Sequence, residues 1–214
     1  TSYPGSGKVT VTTISPLTHS IVDSNGGGYF GPFLKFSGWD ALEVQGKAEQ
    51  EVVIFIDGDN GIVKVEAAPL DPIDTHLINT KLTELYAEDE KDKKNISVIS
   101  AGQAAAHVPM CGLNISYYDP KKKEVRFKQA ARGGAGTVLR DKKIKAIVVK
   151  YSNLNADSNG VADMSLLRKA GSRINKEISD FDASQNDMRG TGTPYLVDIM
   201  NRFDLLPTHN FQYG

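Results

Sequence analysis

The chain has 214 residues, of which 40% are hydrophobic and 24% are charged, and its net charge is -1 at pH 7. These values are typical of a globular protein and give no reason to expect nucleic acid or a membrane as a partner. No apolar run approaches the roughly 18 residues of a membrane-spanning helix. The single cysteine, Cys111, excludes an internal disulfide and any metal site built from several thiolates of this chain, and it favours a reducing, cytoplasmic location.

The first third of the chain has the pattern of strands. Residues 8–14 (KVTVTTI) alternate apolar and polar side chains and are rich in β-branched types, which predicts a strand. Residues 15–24 (SPLTHSIVDS) are predicted to continue to a second strand, and a third is predicted over 41–46 (ALEVQG). Residues 51–67 are predicted to form a hairpin, because DGDNG supplies residues that tolerate positive φ between two apolar runs.

A helix is predicted next, over residues 74–95. Asp74 or Thr75 can cap it, and the charged EDEKDKK segment is interpreted as its solvated end. The apolar residues at helical spacing are Ile78, Leu82, Leu85 and Tyr86. Four further strands are predicted over residues 96–102, 112–119, 124–129 and 145–150.

The pattern changes after residue 150, because residues 162–181 and 192–206 have helical spacing. Strands that precede helices in this way predict an α+β fold, with a sheet domain over residues 1–150. Residues 151–214 are then a linker and the first helices of a second domain. The chain begins without Met close to a strand and ends in a loop, so we expect it to be part of a longer protein.

Two glycine-rich turns each precede a short predicted helix. In residues 25–38 (NGGGYFGPFLKFSG), Pro32 fits a first helical turn and Gly38 fits the position after a helix. The second turn, with Lys128 and Arg132 beside its glycines, opens the segment KQAARGGAGTVLR. Helix N-termini attract anions, but a glycine turn also serves tight packing. Both interpretations remain open at this point, and two such turns with adjacent cations favour a ligand with two phosphate groups.

Three segments resemble the tungsten-containing aldehyde:ferredoxin oxidoreductase family. They are residues 6–49 (SGKVTVTT…VQGKAE), 130–150 (AARGGAGTVLRDKKIKAIVVK) and 192–214 (GTPYLVDIMNRFDLLPTHNFQYG), which occur in that family's order. The resemblance implies two packed, mainly antiparallel or mixed β-sheets that form a base for a tungsten, or molybdenum, bis-pterin cofactor. It also implies a Mg²⁺ ion that bridges the pterin phosphates, and helical domains beyond this chain that hold a [4Fe-4S] cluster.

The resemblance also implies roles for individual residues. Main-chain carbonyls of Asn25 and Gln129 would bind the Mg²⁺ ion, and Gly27 would allow close approach of a pterin. Lys128 and Arg132 would supply positive charge. The other cofactor-binding residues that it implies are Lys8, Gly26, Ala131 and Gly133. Lys8 stands where many members carry arginine, and Ala131 stands where glycine is usual, so Ala131 is expected to adopt a backbone conformation that glycine takes easily.

By this resemblance, the whole enzyme would oxidise an aldehyde to a carboxylic acid and pass electrons to ferredoxin, and a homodimer is expected as in many members. This chain would be a fragment without activity of its own, because the cluster needs four cysteines and no catalytic residue is assigned here. The alternative is a non-catalytic structural or assembly subunit that keeps the fold without cofactor, which Lys8 and Ala131 favour. The four histidines (His19, His76, His107 and His209) show no metal-ligand spacing.

Overall fold

The computed structural model describes residues 6–69, 74–153, 160–181, 188 and 190–213. The chain divides into two compact units, with the boundary between Val161 and Ala162. The larger unit contains two β-sheets with short helices, and the smaller one is helical. This architecture confirms the predicted α+β fold class. Part of the predicted linker, residues 154–159, lies outside the described residues.

The strands of the first unit form a two-stranded and a six-stranded sheet. The small sheet pairs β1 (Val9–Ile14) with β2 (Ile21–Gly26) in antiparallel register. The large sheet has the order β4-β3-β8-β5-β6-β7, and all its neighbours are antiparallel except β3 and β8. Its strands are β3 (Val52–Asp57), β4 (Ile62–Ala67), β5 (Ile96–Ser100), β6 (Leu113–Asp119), β7 (Glu124–Ala130) and β8 (Ile144–Lys150).

Both faces of the large sheet are covered, so β5 and β8 at its centre are buried along their whole length. On one face lie α1 (Phe30–Phe36), α3 (Ala135–Asp141) and the small sheet, whose Val9 and Val11 pack on the core. On the other face lies α2 (Thr75–Tyr86), which buries Ile78 and Leu82. The apolar run AIVV over residues 146–149 of β8 is typical of a strand that is covered on both faces.

Two predicted elements differ from the structure. Helix α2 begins as predicted, since the Asp74 carboxylate accepts from Leu77 N–H at 2.9 Å, but it ends at Tyr86 rather than at residue 95. Buried Lys150 binds Glu88 and Asp92 at 2.9 and 2.8 Å, which folds the charged segment back onto the sheet.

The second difference concerns residues 41–46, which form no strand. Val44 packs against the core, but no described strand pairs with the segment. The outer edge of β1 is likewise unpaired within the described chain. At the tip of the β1–β2 hairpin, Ile14 and Ile21 are direct partners across the strands and are 65% and 78% exposed.

The second unit contains helix α4 (Met164–Asp180) and helix α5 (Leu196–Arg202), the latter preceded by a 3₁₀ turn over Thr193–Tyr195. The Asp163 carboxylate caps α4 by accepting from Leu166 N–H at 2.8 Å. Both helices fall within the segments predicted to be helical. None of the helices in the described ranges is long and apolar enough to cross a membrane.

Candidate functional site

The two glycine turns, at residues 25–28 and 128–133, lie side by side although they are far apart in the sequence. The main-chain N–H of Arg132 donates to Ser24 Oγ at 3.1 Å. Gly26 at the end of β2 sits over the large sheet, where a Cβ on it would lie 2.1 Å from Ile115 Cδ1 and 3.7 Å from Ala130 Cβ. We call residues 25–28 and 128–133 together the double-turn surface.

Packing explains some glycines of the first turn but not Gly27. Gly26 is needed for the close approach to Ile115, and Gly28 has a φ of +96°, which side chains rarely adopt. Gly27 has neither constraint. A Cβ there would meet Lys128 Cγ at 3.7 Å, an ordinary contact, so the described chain does not itself require glycine at this position.

Packing accounts for the glycines of the second turn. A Cβ on Gly133 would lie 2.3 Å from Val22 Cγ1, and one on Gly134 would lie 2.2 Å from the Pro109 carbonyl oxygen. Gly136 is equally constrained, with its N–H donating to the Cys111 carbonyl at 2.8 Å. These glycines serve the tight junction between β7 and α3, which is the packing interpretation that the sequence left open.

Three cations lie around the first turn. The stem of Lys128 runs beside Gly27 and Gly28. Lys8 directly precedes Val9, which pairs with Gly26, so Lys8 lies at the same end of the small sheet. Lys8, Lys128 and Arg132 are all exposed, and within the described ranges none of them forms an ion pair with a carboxylate. Uncompensated positive charge is therefore concentrated here.

The side chains of Asn25 and Gln129 are both engaged with neighbouring strands. Thr10 Oγ1 donates to Asn25 Oδ1 at 2.7 Å, and Gln129 Nε2 donates to Asn114 Oδ1 at 3.0 Å. Each of these hydrogen bonds occupies one polar atom of an exposed side chain.

The expected backbone conformation of Ala131 is wrong. Ala131 is not among the residues with positive φ, so its methyl group causes no strain of that kind. The glycine that this junction needs lies across the strands, because a Cβ on Gly112 would be 2.7 Å from Ala131 Cα.

Sequence reasoning missed an aromatic pair next to the first turn. Tyr29 and Tyr117 meet edge to face with ring centroids 5.4 Å apart, and Tyr117 Cδ1 would lie 3.8 Å from a Cβ on Gly28. The alternation of GLNISYYD places Tyr117 on the same sheet face as Ile115, but no local pattern indicates that this face meets residues 28 and 29.

The double-turn surface is open rather than enclosed. A mainly apolar cavity of about 790 Å³ lies between β1, α1 and α3, and of the residues assigned from the sequence only Lys8 lines it. In the described part of the chain, no three His, Cys, Asp or Glu side chains come together as a metal-ligand group.

Residues 1–151 match the family model "Aldehyde ferredoxin oxidoreductase, N-terminal domain". The chain therefore belongs to the aldehyde ferredoxin oxidoreductase family. It is 33% identical over 222 residues to the tungsten-containing aldehyde ferredoxin oxidoreductase of Pyrococcus horikoshii and 34% identical over 216 residues to that of Thermococcus kodakarensis. Each alignment covers all of this chain but 32% of the relative, so the chain spans about a third of their length.

Two more distant relatives have other names. The WOR-like subunit of an aliphatic sulfonate oxidoreductase from Pyrococcus furiosus is 27% identical over 158 residues, which cover 70% of this chain and 24% of that protein. Among solved structures, the active-site complex BamBC of benzoyl coenzyme A reductase, with bound 1,5-dienoyl-CoA, is 28% identical with a TM-score of 0.54. That match covers 71% of this chain and 21% of the other.

Proposed function

We propose that this chain forms the base of a tungsten, or molybdenum, bis-pterin cofactor in an oxidoreductase that converts an aldehyde to a carboxylic acid with ferredoxin as electron acceptor. The observation that carries the proposal is Gly27, a glycine that no described neighbour requires and that lies beside the stem of Lys128. Lys8 and Arg132 belong to the segments that pair with or bond to the same turn, and none of the three cations has a carboxylate partner among the described residues. The names of the curated relatives, which are tungsten-containing enzymes, support the class of metal.

The residues of the double-turn surface fit a ligand with two phosphate groups. Arg132 presents a planar guanidinium that matches phosphate oxygens in pairs, while Lys8 and Lys128 act as point charges. Main-chain oxygens of Asn25 and Gln129 would hold a bridging Mg²⁺, since their side chains are already engaged. Gly26 and Gly133 would keep the two turns together, since Gly26 lies against Ile115 and Ala130 and Gly133 lies against Val22, and Ala131 would face the cofactor between them.

The cofactor would supply the redox chemistry, and this chain would seat it and neutralise its charge. We further propose that residues 1–150 are the base domain and that residues 151–214 begin a helical domain. In this proposal, later domains of a longer, cytoplasmic and dimeric protein hold a [4Fe-4S] cluster, and the present chain is inactive alone.

The full-length protein, purified without oxygen, tests the proposal through its tungsten, molybdenum and pterin content. Arg132→Ala should lower the bound pterin and metal by about tenfold, because a charge-assisted hydrogen bond is worth about 1.5–3 kcal/mol. Gly27→Val should also lower both while leaving the unfolding midpoint unchanged. The control is Lys122→Ala, at the exposed turn between β6 and β7. A wild-type protein that contains neither metal nor pterin would contradict the proposal.

The second candidate is a structural or assembly subunit without cofactor. Lys8 favours it, since a flexible ammonium cannot reproduce the two-pronged contact of the arginine found in many members. The same measurement separates the two candidates, because the assembly subunit would lack metal and pterin yet still co-purify with a partner subunit.

A further inference from the structure

Three buried polar atoms lack a hydrogen-bond partner among the described residues. They are Nδ2 and Oδ1 of Asn79 on α2 and Oγ of Ser100 on β5, and both residues are 0% exposed. Buried donors and acceptors without a partner are rare in folded proteins, because they lose their bonds to water and gain nothing in return.

Both side chains belong to the same interface. Asn79 follows Ile78 on α2, and the Ile78 side chain packs on the sheet. Ser100 lies on the same face of β5 as Ile96 and Val98, which pack against α2. Ser100 is paired with Ala146 on β8 and with Asn114 on β6. Ala146 carries only a methyl group, so this neighbour offers no hydrogen bond to the serine hydroxyl.

The chemistry of this interface selects a small neutral molecule. The available groups are one amide and one hydroxyl, which offer donors and acceptors but no charge. The cluster around them is apolar: Val53, Phe55, Ile78, Leu82, Ile96, Val98, Ala146 and Val148. An ion would be costly there without a charged partner, and close packing excludes a larger ligand.

We propose that Asn79 and Ser100 bind an internal water molecule between α2 and the large sheet. Asn79 Nδ2 donates to the water oxygen, and the water donates to Ser100 Oγ. This site lies at one end of a polar row across the sheet, because Ser100 is opposite Asn114, whose Oδ1 accepts from Gln129 Nε2. The proposal is independent of the cofactor function.

A high-resolution crystal structure of the wild-type protein is the first test. We expect an ordered water within about 3.2 Å of both Asn79 Nδ2 and Ser100 Oγ. A structure in which no water contacts the two side chains, or in which the amide bonds directly to the main chain, would overturn the proposal.

Counting long-lived waters by oxygen-17 relaxation dispersion is the second test. The double variant Asn79→Leu/Ser100→Ala should lose one long-lived water relative to wild type. Thr83→Val is the matched control, because the buried Thr83 hydroxyl already donates to the main-chain carbonyl of Asn79 at 2.8 Å, and this variant should lose no long-lived water. An unchanged count in the double variant contradicts the water site, and if that variant does not fold, the wild-type crystal structure decides alone.

Discussion

Individual glycines in this chain have different neighbours, and those neighbours decide what each glycine does. Gly133, Gly134 and Gly136 face protein atoms that leave no space for a methyl group, whereas Gly27 faces only the stem of Lys128. The sequence identifies the glycine-rich turns and the cations next to them. It cannot identify Val22, Pro109 or Tyr117 as their contacts, because those residues come from distant parts of the chain.

Replacing Gly136 should destabilise the protein far more than replacing Gly27. A Cβ at Gly136 would lie 2.2 Å from the Gly112 carbonyl oxygen and 2.9 Å from that of Cys111, so two main-chain segments must separate. We expect Gly136→Ala to lower the free energy of unfolding by about 3 kcal/mol and Gly27→Ala to change it by less than about 0.5 kcal/mol. Urea denaturation measures both, and equal effects would contradict this account.

The two ion pairs of Lys150 should contribute different amounts to the free energy of unfolding, although their nitrogen–oxygen distances are nearly equal. The Asp92 side chain is 13% exposed and that of Glu88 is 85% exposed, so solvent screens only the second pair. We expect Asp92→Asn to cost about 2 kcal/mol and Glu88→Gln to cost less than about 0.5 kcal/mol. Similar losses in urea denaturation would show that burial does not decide the strength of these pairs.

The Asp92 contribution should also depend on pH. Burial tends to raise the pKa of Asp92, but hydrogen bonds from Lys150, from the Glu88 N–H and from Asn95 lower it below its usual 3.8. A lowered carboxyl pKa gives stability that is present above the unfolded pKa and is lost as the pH falls through the folded value. The stability difference between wild type and Asp92→Asn should therefore be constant from pH 7 to about 5 and shrink below about 4. A stability difference between the two proteins that stays constant down to pH 2 would contradict the lowered pKa of Asp92.

At the scale of elements, local patterns predicted most strands and helices correctly. The hairpin over residues 51–67 is confirmed, because β3 and β4 pair in antiparallel register on either side of the DGDNG turn. The strand over residues 41–46 is wrong, since a strand also needs a partner and no described strand provides one. The end of α2 is wrong because Lys150, over 60 residues away, draws Glu88 and Asp92 to the sheet. No local signal reports such a contact.

The start of α2 offers a test of the predicted cap. Asp74→Ala removes the acceptor for Leu77 N–H and should lower the free energy of unfolding by about 1 kcal/mol, whereas Asp74→Asn should retain most of the stability. Thermal unfolding monitored by circular dichroism compares the two variants. If both lose the same amount, the hydrogen bond at the cap does not stabilise the helix.

At the scale of the molecule, the fold class could be predicted but the strand order could not. The burial of β8 on both faces follows from its unbroken apolar run, but its position between β3 and β5 depends on pairings between residues more than 40 positions apart. The proximity of the two glycine turns is also a property of the whole fold, because they come from different sheets.

The first unit should fold by itself. Its boundary at Val161 lies close to the end of the matched family domain at residue 151, and both sheets belong to it. We expect a protein that ends at Val161 to unfold in a single cooperative transition. Dispersed amide proton signals would identify the folded state, and collapsed signals with gradual melting would show that residues 162–214 are required.

The unpaired edge of β1 and the two isoleucines at the hairpin tip have a consequence for handling the protein. An open strand edge offers its amide and carbonyl groups to any strand that approaches, and the neighbouring apolar side chains add adhesion. We therefore expect copies of the protein to associate through this edge. The fraction of protein lost to precipitation should then rise as the sample is concentrated.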